Sequence, residues 1–145
     1  MRDRNVQRLS RFHTLLYRLS RGMLGRRLVD NDMLLLTTIG AKTARRHTIP
    51  LLYLRDGAAL VVVASYGGRD HHPDWYHNLA AHPRATVQLR GHRHEVQART
   101  ATAEERRRLW PRVVQAYHGY ASYQERTRRR IPLVLLEPFE VDVGE

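Results

Sequence analysis

The sequence predicts an α+β fold, a small barrel of about six mainly antiparallel strands with flanking helices and an amphipathic helix in front. Three observations carry this. Short β-rich apolar runs follow one another from Met33 onward, separated by turn residues. Helical periodicity is confined to the first twenty residues, one short stretch near Trp75 and the region after Thr102. No strand-helix-strand unit repeats, which argues against a doubly wound sheet. A chain of 145 residues with 42% hydrophobic content can bury one real core and is short for two.

Taken in order, residues 5 to 21 carry Val6, Leu9, Phe12, Leu15, Leu16 and Leu19 at three- and four-residue spacing, with Arg8, Arg11, Arg18 and Arg21 between them. This is a basic amphipathic helix, suited either to packing across a barrel mouth or to lying on an anionic membrane surface. Gly22, Gly25 and the Asp30-Asn31-Asp32 run end it, so residues 1–32 read as helix and linker and 33–145 as the barrel domain. Strands are expected at 33–39, 48–54 and 58–64, joined by "GAKTARRH" and by the Asp56-Gly57 turn. "HPDWYHNLAAHP" (72–83) reads as a short helix between two prolines. Two strands then meet tightly at Gly91-His92. Thr102, followed three residues later by Glu105, is a capping-box signal opening a long helix; "YASYQERTRRR" continues helical, and "IPLVLLEP" is a last strand.

Charge and composition narrow the chemistry. There are 25 Lys and Arg against 14 Asp and Glu, a net charge of +11, and every one of those cations except Lys42 is arginine. Such a surface attracts phosphate, nucleic acid or anionic lipid, although the cations are scattered along the chain. With no cysteine there is no disulfide, thiolate nucleophile or thiolate metal site. No apolar run approaches the roughly 18 to 20 residues of a spanning helix, and "RDRNVQRLSRF" after Met1 is not a signal segment. The expectation is a cytoplasmic protein, with attachment to the inner face of the cell membrane as the alternative use of the first helix.

Three constellations are candidates for a site. "GAKTARRH" puts Lys42, Arg45, Arg46 and His47 beside the Thr43 and Thr48 hydroxyls at a hairpin tip, which serves either solubility or an anionic ligand. It is not a phosphate-binding P-loop, because only one glycine precedes the lysine and a strand follows where a helix must. "VVVASYGGRDHHPDWY" leaves an apolar strand through Ser65 and two glycines, where backbone can approach a planar ligand. Trp75 and Tyr76 suit core packing or cofactor stacking. "AYHGYASYQERT" repeats tyrosine at 117, 120 and 123, which suits a core-to-solvent boundary, ring stacking or proton donation. His71, His72 and His77 cluster, but no HExxH or completing carboxylate supports a metal. No GxSxG marks Ser65 as a nucleophile.

Together, "LLLTTIGAKTARRHTIPLLYL", "VVVASYGGRDHHPDWYHNLAAHPRATVQL", "LWPRVVQAYHGYASYQERT" and "RRIPLVLLEP" resemble, in order and spacing, the deazaflavin-dependent nitroreductase family across residues 33 to 138. The resemblance implies a split β-barrel of the flavin-binding kind and coenzyme F-420, a deazaflavin carrying a phosphate and an oligoglutamate tail. It also implies that Lys42, Thr43, Arg45, Arg46 and His47 meet the tail and phosphate, where the family pattern has arginine at Ala41, glycine at Ala44 and arginine at His47. By the same resemblance Pro50, the backbone of Val63, Ala64 and Ser65, and Trp75 wall the ring, and Tyr66 stands where some relatives carry a lysine. Tyr117, Tyr120 and Tyr123 cover the substrate side, with Tyr120 donating a proton to the acceptor or orienting it and Ser65 hydrogen-bonding it. The implied reaction passes hydride from the reduced deazaflavin to a menaquinone-like or nitroaromatic acceptor. The rivals are a flavin mononucleotide reductase of the same fold and a non-catalytic protein that binds anionic lipid or nucleic acid through its arginines.

Overall fold

Two kinds of strand build the sheet, and the pattern of apolar residues separates them. In the computed structural model, which describes residues 33–139, β4 (Ala59–Val63) and β7 (Leu133–Pro138) are continuous apolar runs buried on both faces. β5 (Arg84–Leu89) alternates buried and exposed residues, and β6 (His92–Thr100) buries only Val96 and Ala98. With β1 (Met33–Ile39), β2 (Arg46–Leu52) and β3 (Leu54–Asp56) they form one antiparallel sheet in the order β2-β1-β5-β6-β7-β4-β3. The sheet curls until β2 comes beside β4. The expected N-terminal helix, its linker and residues 140–145 lie outside the described residues.

Seven strands appear rather than about six because the run 48–54 divides at Tyr53. Up to Leu52 it pairs with β1; from Leu54 it pairs with β4. The Tyr53 ring turns into the barrel core, and its carbonyl accepts a hydrogen bond from Tyr117 Oη at 3.0 Å. The β5–β6 turn centres on Arg90 and Gly91, both left-handed at φ 52° and 80°, since Leu89 already pairs with His92. That is the twist a two-residue hairpin needs.

Two cores result. Inside the curl, Leu34, Leu36, Val62, Val87 and Leu136 pack together, and Trp75 and Leu79 of helix α1 (Asp74–Ala81) join them. Outside it, Val61, Val63, Leu133 and Leu135 pack against Leu109 and Val113 of α2 (Ala103–Ala116) and Tyr120 of α3 (Gly119–Glu125). Each such side chain contributes about 1.5–3 kcal/mol on burial. β4 and β7 therefore serve both cores, even-numbered side chains inward and odd-numbered outward.

α2 opens with the expected capping box: Glu105 N donates to Thr102 Oγ1 at 3.2 Å, and Thr102 N donates to Glu105 Oε1 at 3.0 Å. Arg99 forks onto the same carboxylate at 2.6 and 2.8 Å and reaches Glu137 at 2.6 Å. Arg99, with the Thr102 amide, holds the Glu105 carboxyl down to about 2. The folded value lies below the ordinary 4.5, so this contribution is complete above pH 4.5 and fades as pH falls toward 2. Exposure keeps it small. α3 is shorter than the continuous helix expected over 120–130. It ends at Glu125 because the Gln124 side chain turns the chain back, accepting from Ile131 N at 3.0 Å and donating to Arg129 O at 2.8 Å.

Strand polarity gathers the connections at one mouth of the barrel. β1, β4 and β6 end there and β2, β5 and β7 begin there. The hairpin at 40–45, the segment 64–73, α1 and the start of α2 consequently share that end.

Candidate functional site

The 40–45 hairpin is closed by its own backbone: Gly40 N donates to Arg45 O at 2.7 Å and Ala44 N to Gly40 O at 3.0 Å. A Cβ on Gly40 would collide with Thr43 Oγ1 and His47 Nε2, so glycine lets these two side chains fold down over the start of the hairpin. Ala44 is left-handed at φ 58°. Lys42, Arg45 and Arg46 are exposed, and none of them forms an ion pair with a carboxylate among the described residues. His47 is half-buried, 3.4 Å from Thr43 Oγ1. At the base of the hairpin stands Asn78. Its Oδ1 accepts from Ala41 N at 3.0 Å and its Nδ2 donates to Thr38 Oγ1 at 3.2 Å, while Asn78 and Thr38 are themselves buried. Sequence reasoning did not single out Asn78. The available signal was an amide three residues after Trp75, on the face of α1 turned to the core.

The segment after β4 is built differently. Ala64 N donates to Pro132 O at 3.0 Å, and Tyr66, Gly67 and Gly68 are left-handed in succession, at φ 47°, 65° and 79°. Gly68 N returns to Ser65 O at 2.9 Å and Arg69 N to Tyr66 O at 3.2 Å. A Cβ at Gly68 would lie 2.5 Å from Tyr123 O, so α3 sits directly on this turn. Ser65 is buried and its hydroxyl makes no capping bond. Tyr66 is exposed, with the Arg69 guanidinium 4.4 Å from its ring.

The three tyrosines form an edge-to-face stack. Tyr117 and Tyr123 each have ring centroids 5.9 Å from that of Tyr120, at 86° and 73°. They do not share one helix, because Tyr117 is the C-terminal cap of α2 and the chain re-enters a helix at Gly119. Tyr117 is tied through its hydroxyl to Tyr53 O, and Tyr123 carries Arg126 at 5.7 Å. Tyr120 is 9% exposed; burial, with Tyr123 beside it, pushes its phenol up to about 12.

The remaining expected ring contacts are more enclosed. Pro50 is buried opposite Leu35, Val63 packs in the outer core, and Ala64 and Trp75 belong to the inner one, Trp75 with 6% exposure. The structure thus brings Ser65 and the tyrosines together through the Gly68 contact, and ties the cationic hairpin to the helix of Trp75 through Asn78. No hydrogen bond joins Ser65 to Tyr120. The Ala64 and Ser65 carbonyls are taken by Arg129, a residue sequence reasoning placed in a helix. Of the clustered histidines, His72 is hydrogen-bonded to Arg129, and no group of three or more metal-ligating side chains converges among the described residues. A separate cleft of about 180 Å³ between α1 and β6 is lined by Tyr76, Leu79, Pro83 and Thr100.

A curled antiparallel half-barrel with an exposed cationic hairpin at its mouth and a stack of phenols on its outer wall is the architecture of a split barrel. The solved structure described as F420-H2 Dependent Reductase (FDR-A) matches with a TM-score of 0.68 at 38% identity, over 74% of this chain and 96% of that one. The chain belongs to the F420H(2)-dependent quinone reductase family, whose model matches residues 9–138. It is 40% identical over 132 residues to an F420H(2)-dependent quinone reductase of Mycobacterium tuberculosis, covering 88% of this chain and 89% of that protein. The heme storage protein HutZ from Vibrio cholerae, at 12% identity and a TM-score of 0.58 over 77% of this chain and 84% of that one, shares the fold. This protein is a coenzyme F-420-dependent oxidoreductase.

Proposed function

We propose that the acceptor is a quinone, that the 40–47 hairpin holds the anionic end of the deazaflavin, and that Tyr120 stabilises the acceptor oxygen as charge develops on it. The buried phenol of Tyr120, walled by two tyrosine rings beside the Ser65 turn, carries this reading. The residues fit the cofactor. Lys42, Arg45 and Arg46 have no carboxylate partner among the described residues and offer charge to phosphate and glutamate groups. Arg45 and Arg46 supply the cations that Ala41 and His47 do not. Trp75 supports the ring site from within the core, while the Ser65 hydroxyl is the polar group offered at its edge.

When bound and reduced, the deazaflavin supplies the hydride. A quinone that takes up a hydride becomes an oxyanion and needs one proton to reach the quinol. At about 12, Tyr120 remains protonated at neutral pH and can donate a hydrogen bond to that oxygen. Complete transfer to a phenolate of ordinary pKa, about 10, would be uphill by roughly 3 kcal/mol. Tyr120 therefore acts as a hydrogen-bond donor and the proton comes from solvent. Tyr117 and Tyr123 hold its ring and keep water from its faces.

A nitroaromatic also places oxygens on a planar ring where charge develops, so the same phenol suits it as a second acceptor class. The basic amphipathic pattern of residues 5–21 supports work at an anionic lipid surface, where menaquinone-like acceptors reside. No helix among the described residues is long and apolar enough to cross a membrane.

The test is a fluorescence titration with oxidised coenzyme F-420, flavin mononucleotide in parallel, followed by turnover with a soluble menaquinone analogue and a nitroaromatic. Selective binding of the deazaflavin and faster quinone reduction are expected, with Tyr120→Phe lowering kcat about 100-fold and leaving the cofactor Kd nearly unaltered. Preference for the flavin, or a Tyr120→Phe enzyme with wild-type kcat, would overturn this reading.

A further inference from the structure

Three successive left-handed residues, one of them a tyrosine, do not hold themselves: each non-glycine residue in that region costs roughly 1–2 kcal/mol. What spans the turn at Tyr66–Gly68 is Arg129. Its Nη1 donates to Ala64 O at 3.1 Å and its Nη2 to Ser65 O at 2.6 Å, both before the turn; its Nε donates to Arg69 O at 2.7 Å, beyond it. One planar guanidinium thus ties both ends. Its own backbone is fixed by Gln124, whose Oε1 accepts from Arg106 Nη2 at 3.0 Å, so the clamp is anchored to α3 and α2. Nη1 also lies 2.9 Å from His72 Nδ1. A guanidinium only donates, so Nδ1 must be the acceptor and carry no proton.

We propose that Arg129 is a positioning residue for the reductase reaction, that it sets Ser65 against the tyrosine stack by clamping the left-handed turn, and that it does so fully only while His72 is neutral. The proposal rests on the roles given above to Ser65 and Tyr120. Protonating His72 would put an N–H against the Arg129 N–H and two cations 2.9 Å apart. The other groups around the pair are the Tyr76 and His77 rings of α1, 4.7 and 5.9 Å from the His72 ring, and Asp70, whose charge favours the Arg129 cation. Burial first, then Arg129 and His77, holds His72 below its ordinary 6.5. Below that pH the unfolded chain takes up the proton before the native one does, so the native clamp is disfavoured as pH falls.

The experiment uses the full chain and three variants, Arg129→Lys, Arg129→Ala and His72→Asn, and reads two quantities. The first is the protection of the Gly68 and Arg69 amides against hydrogen exchange in the cofactor-free protein; the second is kcat and cofactor Kd measured separately. Arg129→Lys keeps the charge but cannot span the carbonyls, and should lose about tenfold in amide protection and in kcat, with a smaller change in Kd. Arg129→Ala should recover part of its lost kcat with added guanidinium. In the wild type, protection should fall as pH drops below 6.5; in His72→Asn, whose Oδ1 accepts without titrating, that fall should disappear. Wild-type protection and kcat in Arg129→Lys would overturn the clamp, and a pH-dependence that persists in His72→Asn would overturn the role of His72. Failure of the wild type to bind the deazaflavin would instead overturn the functional reading, since the exchange measurement needs no cofactor.

Discussion

The hairpin at 40–45 and the turn at 65–69 share one mouth of the barrel and are built in opposite ways. The hairpin is an exposed loop whose cations form no ion pair with a carboxylate among the described residues; it is fastened at its base by Gly40 and Asn78. The turn is strained, packed under α3 and bonded on both flanks by one arginine. A charged tail is held by fields that act over several ångströms, so a tail site tolerates loose geometry. Hydride transfer does not tolerate it, because misplacement of reacting atoms by about 1 Å can cost on the order of 100-fold in rate. Under the proposed function, rigidity is concentrated where the ring and acceptor would meet.

The largest effect should come from Gly68→Ala, which adds a Cβ 2.5 Å from Tyr123 O at a φ of +79°. Left-handed strain and overpacking together should cost about 3 kcal/mol in denaturant unfolding. Gly67→Ala, at φ +65° with nothing within 4 Å, should cost only the backbone share of that, and equal costs would show that the packing against α3 is soft. Asn78→Ala leaves Thr38 Oγ1 and Ala41 N without their partner and should cost about 2 kcal/mol, with weaker cofactor binding measured alongside. A loss of stability with unaltered Kd would mean that the hairpin needs no brace.

Lys42→Ala should raise the cofactor Kd about tenfold, roughly 1.4 kcal/mol, while unfolding shifts by less than about 0.5 kcal/mol. Its contribution should shrink with added salt, whereas the kcat effect of Tyr120→Phe should not; a salt-independent Kd would break the contrast between the two regions. The smallest change should be Ala44→Gly. Relief of φ 58° outweighs the added freedom of the unfolded chain by about 0.5 kcal/mol, and a destabilised variant would show that Ala44 is not strained.

Much of this was legible beforehand where the signal is local. The capping box at Thr102 and Glu105 and the apolar run of β4 depend on neighbours in sequence and stand where their patterns put them, while the tight turn expected at Gly91-His92 falls one residue earlier, on Arg90-Gly91. The division at Tyr53 was not legible, because it is a change of pairing partner, from β1 up to Leu52 to β4 from Leu54, that arises only when distant strands meet. Nor was the end of α3: "RTRRR" has good helical propensity, and only the folding back of Gln124 onto Arg129 and Ile131 stops it. Of the site, the basic hairpin, Ser65 and the tyrosines could be picked out by residue type, whereas Asn78 and Arg129 carry no distinguishing motif.

By itself the sequence determined the class of barrel, the order of its strands along the chain and the presence of a cationic hairpin, because alternation, turn residues and charge are properties of short stretches. Only the tertiary structure decided that Tyr117 is tied to Tyr53, that Tyr120 is buried between two tyrosine rings, and that Arg129 donates to three backbone carbonyls and is not a surface charge. Burial, shared hydrogen bonds and the approach of α3 to Gly68 arise only when distant segments meet. An arginine is written the same way whether it faces water or three carbonyl oxygens.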